Sequence, residues 1–358
     1  MKKKKILVVD FNGTSSIYTH YLSNGLKSLD VEVFILGKKK TDFLDVFDET
    51  NTYLGFKTGI KLIDYIVNWL WLLVNHKKFD VIILQWLQLL RYFGFEMHLV
   101  SFLQLQIPVV YIVHNLYPHN DKSTQIRKRY NSFYKKCKNI AVQTKQIKTV
   151  IQKISPKSNI IEIQHGLFFK DFRPDINAYS SNNCLVIGYI SKYKGIEDAI
   201  EVAKILKEKQ VDFYLEVIGF GKAAYISMLN NRILDYDLSD RIKIHPKEVS
   251  TNFLIKKISD ASMLWLPYKE ISQSGVAYTS MGLGVPIVAY DVGNFKEAFG
   301  SEFVAEIVKK NNLTEFSLAV EKVLKNNKSY KKNIQRVFSD DLWSSNNVLI
   351  KEGFKNDN

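Results

Sequence analysis

The chain has 358 residues, 46% of them hydrophobic, and its 50 Lys and Arg against 36 Asp and Glu give a formal net charge of +14. That length suggests two or three domains with large cores, and the basic balance points to acidic partners such as phosphorylated small molecules or an anionic membrane face. Two cysteines, Cys137 and Cys184, are too few for a disulfide framework and their spacing fits no zinc site, so a reducing compartment is expected.

The N-terminal MKKKK is followed by a short apolar run, Ile6 to Val9, which reads as a first buried strand rather than a signal-peptide core. No stretch reaches the roughly 20 apolar residues of a membrane span. A cytoplasmic protein is expected, peripheral at the inner membrane face if its basic surface meets lipid.

Short apolar runs alternate with longer amphipathic ones, which argues for α/β layers with parallel sheets. The first half has strand-like runs at Ile6–Asp10, Val31–Leu36, Val81–Leu84, Val109–Val113 and Ile140–Gln143. Glycine stands at the first strand-to-helix turn, Phe11-Asn12-Gly13-Thr14-Ser15-Ser16, where close backbone approach to a ligand is useful. A plain tight turn explains it equally well.

Ile60 to Val74 is apolar nearly all round, with a thin polar stripe at Lys61, Asp64 and Asn68, two tryptophans at 69 and 71, and His76-Lys77-Lys78 at its end. It reads as a helix buried against the sheet, or as one partly inserted into a membrane surface. Lys122, Arg127, Lys128, Arg129, Lys135, Lys136 and Lys138 put a basic face on the same half. The run at Val109–Val113 leads into His114-Asn115-Leu116-Tyr117-Pro118-His119-Asn120, and its place just past a strand end favours His114 as a site residue.

Residues 165–183, HGLFFKDFRPDINAYSSNN, are polar and aperiodic and read as an interdomain linker from 167 to 183. The strand pattern then restarts at Cys184–Tyr189 and runs through Tyr214–Ile218, Ile242–Ile244, Met263–Leu266, Pro286–Ala289 and Phe303–Ile307. The expected domains are 1–166 and 184–334, two doubly wound units facing across a cleft, with a helical tail anchored by Trp343 and Leu349.

In the second half, Gly188-Tyr189-Ile190-Ser191-Lys192-Tyr193-Lys194-Gly195 precedes a helix, and a lysine there can set its ammonium on a phosphate. Gly219-Phe220-Gly221-Lys222-Ala223-Ala224 matches the dinucleotide fingerprint GxGxxA. That fingerprint needs an acidic residue at the end of the next strand, whereas Asp240 precedes it. Ser274-Gly275 follows the apolar run Met263 to Leu266 and opens a small-residue helix, whose free N–H groups form an anion site. An ordinary helix cap has the same appearance.

Taken together these segments resemble the retaining GT-B glycosyltransferases of the family-4 type, over nearly the whole length. The residues that carry the resemblance are NGTSS after the first strand, VHN at 113–115, QHG at 164–166, GYISKYKG at 188–195, VIGFG at 217–221 and LPYKEISQSGV with GLGVPIVAYDVGNFKE. The resemblance implies two Rossmann-like domains, the acceptor mainly on the first, a nucleotide-sugar donor on the second, and residues 335–358 crossing back to the first.

By that resemblance Lys194 contacts the donor diphosphate, Gly13 approaches the phosphate and the transferred sugar, and His114 lies near that sugar. The backbone of Ser274, Gly275 and Val276 caps the diphosphate, and Ser272 and Gln273 before it belong to the donor site. Gly219 and Phe220 line the donor site, and Pro246 and Lys247 fall where the base is held. Many relatives carry two glutamates seven residues apart; here those positions read Ile271 and Thr279, so Thr279 offers a hydroxyl and Glu270, one position off, stands in for the first. Tyr189 replaces a frequent arginine, and Lys192 supplies that charge. This chain looks like the subgroup with SQSGV in place of the pair.

The implied activity is hexosyl transfer from a UDP- or GDP-sugar to a saccharide, lipid-linked, in bacterial surface polysaccharide or capsule assembly. Neither a metal, a cofactor nor a nucleic-acid partner is expected. A GT-B nucleotide-sugar epimerase, a non-catalytic sugar-nucleotide-binding protein and, more remotely, a dinucleotide-dependent oxidoreductase are the other readings.

Overall fold

A computed structural model of the chain describes residues 3–37, 51–118, 123–175 and 182–353, with residues 352 and 353 described by backbone alone. It folds as two compact units, residues 1–166 with 341–358, and residues 167–340. His119, Asn120 and Lys122 lie outside the described residues.

The first unit is a seven-stranded parallel sheet in the order β3-β2-β1-β4-β5-β6-β7. Its strands are β1 (Lys4–Asp10), β2 (Val31–Gly37), β3 (Thr52–Leu54), β4 (Val81–Leu84), β5 (Val109–Val113), β6 (Asn139–Val142) and β7 (Asn159–Glu162). The helices are α1 (Ser16–Leu26), α2 (Lys61–Asn75), α3 (Phe95–Gln106), α4 (Thr124–Lys136) and α5 (Lys145–Ile154). The central strands read as unbroken apolar runs because both faces are covered. Leu7, Val9, Ile82 and Leu84 meet the inner sides of α2 to α5.

The two outermost strands, β3 and β7, escaped the periodicity. Both are short and only partly buried edge strands, and edges need no continuous apolar run.

The second unit is a six-stranded parallel sheet ordered β10-β9-β8-β11-β12-β13. It contains β8 (Asn183–Ile187), α6 (Ile196–Glu208), β9 (Tyr214–Ile218), α7 (Ala223–Asp235), β10 (Ile242–His245), α8 (Thr251–Ser259) and β11 (Met263–Leu266). It continues with α9 (Gly275–Gly282), β12 (Ile287–Tyr290), α10 (Phe295–Phe299), β13 (Ala305–Val308), α11 (Leu313–Lys325) and α12 (Asn327–Val337). In each unit the strand order reverses beside the first strand, which is where doubly wound sheets open a ligand site.

Three boundaries differ from the sequence reading. The run from Cys184 ends as a strand at Ile187, because Gly188 turns the chain. Residues 167–175 are not a solvated linker: Leu167, Phe168 and Phe169 are buried, and the Arg173 guanidinium donates to the carbonyls of Met281 and Gly282 within the second unit. The tail is not one helix from 335. α12 stops at Val337, and the first unit regains the chain at Asp341. There Trp343 and Leu349, the latter in α13 (Val348–Gly353), are buried.

Candidate functional site

In the second unit the loops after β8, β9 and β11 meet at the carboxyl ends of the strands. Gly195 has φ +67°, and a Cβ there would sit 1.9 Å from the Pro267 carbonyl oxygen. Gly219 has φ +152°, and a Cβ would lie 1.8 Å from the carbonyl oxygen of Gly188. Only glycine lets these three loops close on one another.

Lys194 ends up buried at the centre of that convergence, 6% exposed. Its ammonium donates to the Tyr268 hydroxyl at 2.6 Å and lies 4.2 Å from the centroid of the same ring. No carboxylate among the described residues pairs with it. Burial holds its pKa below the usual lysine value, opposed by the neighbouring Tyr193. A desolvated cation without a counter-charge is a strong attractor for an anion.

Tyr268 connects that ammonium to α9. Its hydroxyl hydrogen-bonds Ser274, and burial pushes its own pKa to well above the ordinary phenol. Ser274 is the buried N-cap, its Oγ accepting from the Ala277 N–H at 3.3 Å. The remaining first-turn N–H groups, at Gly275 and Val276, have no intrahelical acceptor. Gly275 is exposed and Val276 half-buried. Lys194 and the Ser274-Gly275 turn, read separately from the sequence, are thus linked through one hydroxyl. Tyr268 was missed by sequence reasoning. Its signal was a tyrosine directly after the Pro267 that ends β11, indistinguishable there from a core residue.

The other members of this loop divide. Ser272 and Gln273 are half-buried, and the Ser272 carbonyl accepts from the Asn294 N–H, which fixes the turn. Glu270 is exposed. Thr279 is buried in α9, a turn beyond the exposed N–H groups.

Beside the same strand ends stand two exposed rings, Tyr189 and Phe220, with centroids 5.0 Å apart in an edge-to-face pair. Lys192 and Pro246 are exposed, and so is Lys247, which lies 3.9 Å over Phe253 and whose N–H donates to the Gly219 carbonyl. The residues at the end of β10 are therefore a histidine, a proline and a lysine. Asp240 precedes β10, at the amino ends of the strands, whereas Gly219 follows the carboxyl end of β9, which leaves the GxGxxA turn without its ribose carboxylate.

In the first unit, Asp10 at the end of β1 shapes the loop that follows. Its carboxylate accepts from the N–H groups of Thr14 and Ser15, each at 2.9 Å, and the Gly13 N–H donates to the Asp10 carbonyl. Thr19 donates to Asp10, Gln85 donates to Thr19 at 2.8 Å, and the Gln85 Oε1 is 3.2 Å from His114 Nε2. With the Gln85 amide so directed, its oxygen accepts from His114 Nε2–H and leaves Nδ1 as an acceptor. Burial, then the neighbouring His165, pushes the His114 pKa down to about 3. His114 is therefore neutral at physiological pH, stacked on Trp86 with centroids 4.8 Å apart. It can accept a hydrogen bond from a hydroxyl but brings no positive charge.

A pocket of about 190 Å³ opens next to this loop, lined by Phe11, Asn12, Tyr53, Lys57, Lys61 and Asp64 among others. Among the described residues, no group of three or more His, Cys, Asp or Glu side chains is placed to hold a metal ion.

These two sites coincide with two known domains. Residues 15–167 match the family described as Glycosyltransferase Family 4, and residues 169–339 match Glycosyl transferases group 1. A curated relative, an uncharacterized glycosyltransferase of Haemophilus influenzae, is 23% identical over 195 residues. That match spans about half the length of each protein, 54% of both.

Among solved structures, a glycosyltransferase of Rickettsia africae superimposes with TM-score 0.72 at 16% identity, covering 99% of this chain and 100% of that one. HepE of Anabaena in complex with UDP gives 0.71 at 12% identity, covering 98% of each, and has also been solved with UDP-glucose. WaaG, a glycosyltransferase involved in lipopolysaccharide biosynthesis, gives 0.64 at 12% identity, covering 97% and 98%. The chain thus carries matches to the glycosyltransferase family 4 and glycosyl transferases group 1 domains in tandem, one on each of two parallel Rossmann-like sheets, and its fold is that of the GT-B glycosyltransferases.

Proposed function

We propose that the protein transfers a hexosyl group from a UDP- or GDP-sugar to a lipid-linked saccharide, with retention of anomeric configuration, in assembly of a bacterial surface polysaccharide. The observation that carries the donor half is the buried Lys194 ammonium joined through Tyr268 to the N-terminus of α9. As the bond from the anomeric carbon to the diphosphate oxygen breaks, negative charge grows on the departing phosphate. Lys194 and the N–H groups of Gly275 and Val276 are fixed in advance to receive it. The departing phosphate takes the acceptor hydroxyl's proton, and that hydroxyl's oxygen bonds the anomeric carbon on the face the phosphate leaves.

Tyr189 and Phe220 offer apolar ring surface to the base, with Lys192, Pro246 and Lys247 beside them. His114 Nδ1 accepts from a sugar hydroxyl. The UDP and UDP-glucose complexes of HepE and the lipopolysaccharide role of WaaG agree with this assignment.

The test is a panel of UDP- and GDP-sugars with product anomers read by NMR. Donor turnover is expected to fall at least about tenfold in Lys194→Ala, about 1.4 kcal/mol of transition-state stabilisation. A smaller loss removes Lys194 from this role. Conversion to an epimeric nucleotide sugar without acceptor, tight donor binding without turnover, or binding of NAD(P) instead would each replace the transferase reading.

A further inference from the structure

α2 buries Tyr65, Trp69 and Leu72 in the core together with two polar side chains, and leaves a second apolar stripe facing outward. Asp64 and Asn68 are buried, whereas Leu62, Ile66, Leu70 and Val74, spaced four apart on one stripe, are 57, 47, 57 and 81% exposed. The inward stripe holds the preceding loop. Asn68 accepts from the Phe56 N–H at 2.7 Å and donates back to the Phe56 carbonyl, and Asp64 accepts from the Thr58 hydroxyl.

α3 repeats the pattern. Its one carboxylate, Glu96, is fully buried against the Tyr65 hydroxyl, while Phe102 and Leu105 are 45 and 74% exposed. The two helices are neighbours, since the rings of His76 and Phe102 are 5.9 Å apart.

α4 flanks α3 on the other side. The Gln104 amide donates to the Lys136 carbonyl at 3.1 Å, and Lys138 Nζ donates to the Gln104 carbonyl at 3.0 Å. Arg127, Lys128, Lys135 and Lys136 of α4 are exposed, and α4 contains no acidic residue. The outer surface of three adjacent helices is thus apolar and cationic, and both of their carboxylates are buried. A helix in water has the reverse polarity.

We propose that this face of the first unit docks on an anionic lipid bilayer, with the Leu62–Val74 stripe and Phe102 entering the acyl boundary and the α4 cations meeting the headgroups. Apolar area supplies the insertion and each cation near the surface adds about 1 kcal/mol. Charge selects the bilayer over a second copy of this chain. A self-association through this face would bring the α4 cations against a surface whose helices expose no carboxylate. The inference rests on the surface of one unit and holds for any donor sugar.

Flotation of the full chain with vesicles tests it. Binding is expected to vesicles containing phosphatidylglycerol and to be weaker with phosphatidylcholine alone or at high salt. Leu70→Glu, at an exposed position, is expected to cut binding at least about tenfold while melting temperature and donor turnover in solution stay unchanged. The double variant Lys135→Glu with Lys136→Glu should weaken binding to anionic vesicles only. On binding, amides of α2 and α3 should gain hydrogen-exchange protection. Absence of flotation overturns the proposal, as does flotation indifferent to Leu70→Glu. A concentration-dependent dimer abolished by Leu70→Glu would overturn it in favour of a second copy.

Discussion

Burying an ammonium without a carboxylate partner costs the second unit stability that an apolar side chain of similar length would return. Lys194 is in that position, its ammonium hydrogen-bonded to the Tyr268 hydroxyl and lying over the Tyr268 and Tyr193 rings. Lys194→Met is therefore expected to raise the urea midpoint, by about 1 kcal/mol or more, in the same variant that loses donor turnover. A variant that lost stability and turnover together would point to a structural lysine. Glu96 poses the same question with the opposite charge. Burial, opposed chiefly by the hydrogen bond from the Tyr65 hydroxyl, pushes its pKa up to about 7. Between the ordinary carboxylate value and about 7 the folded chain holds a proton that the unfolded chain has lost, so stability falls as pH rises through that window. Glu96→Gln should remove this loss and gain most above pH 7, at most about 3 kcal/mol. Denaturant titrations of both proteins at acid and alkaline pH give the answer, and parallel curves would refute the shifted carboxyl.

Elements were legible where their physics is local. The strands bearing the site, β1, β5, β8, β9 and β11, read as apolar runs because both sheet faces are covered, and glycines stand at the turns just past β1, β8 and β9. Gly219 shows why those turns are strict. Its φ is +152° and its missing Cβ leaves room for the Gly188 carbonyl. Gly219→Ala is expected to destabilise the second unit by about 2–4 kcal/mol, read as a lower urea midpoint, while Gly300→Ala in an ordinary backbone region serves as the control for a milder clash. An equal effect at both would remove the special role of the β9 turn. α2 was legible as a helix but not in its orientation. The sequence shows a thin polar stripe, and nothing local says that Asp64 and Asn68 are spent on the loop that precedes the helix. The Tyr268 bridge escaped for the same reason: it joins residues 74 positions apart, a distance that only the sheet order closes.

At the scale of the whole molecule, the order of motifs along the chain announced two doubly wound units, and each sheet reverses its strand order beside its first strand. What the chain order could not give was the proton balance of the fold, because that depends on which titrating groups end up dry. Three histidines of the first unit are held neutral. Burial, assisted by Lys27, takes His20 down to about 4; burial takes His114 to about 3 and His165 to about 4. Unfolding releases them to their ordinary value of 6.5, where they bind protons. Below pH 6.5 the unfolded chain thus holds more protons on these groups, and stability falls as pH drops. Glu96 works against them from about 4.5 to 7, since there it is the folded chain that holds the extra proton. Three protons against one leave a net uptake of up to two on unfolding, a slope approaching about 2.7 kcal/mol per pH unit. Urea midpoints measured across this range should fall steeply on the acid side, and replacing His165 by Asn should lower the slope by about one proton's worth. A profile flat from pH 6.5 to 4.5 would mean that the imidazoles at the end of β5 and beside Tyr18 are wet, and the neutral, accepting role given to His114 would go with them.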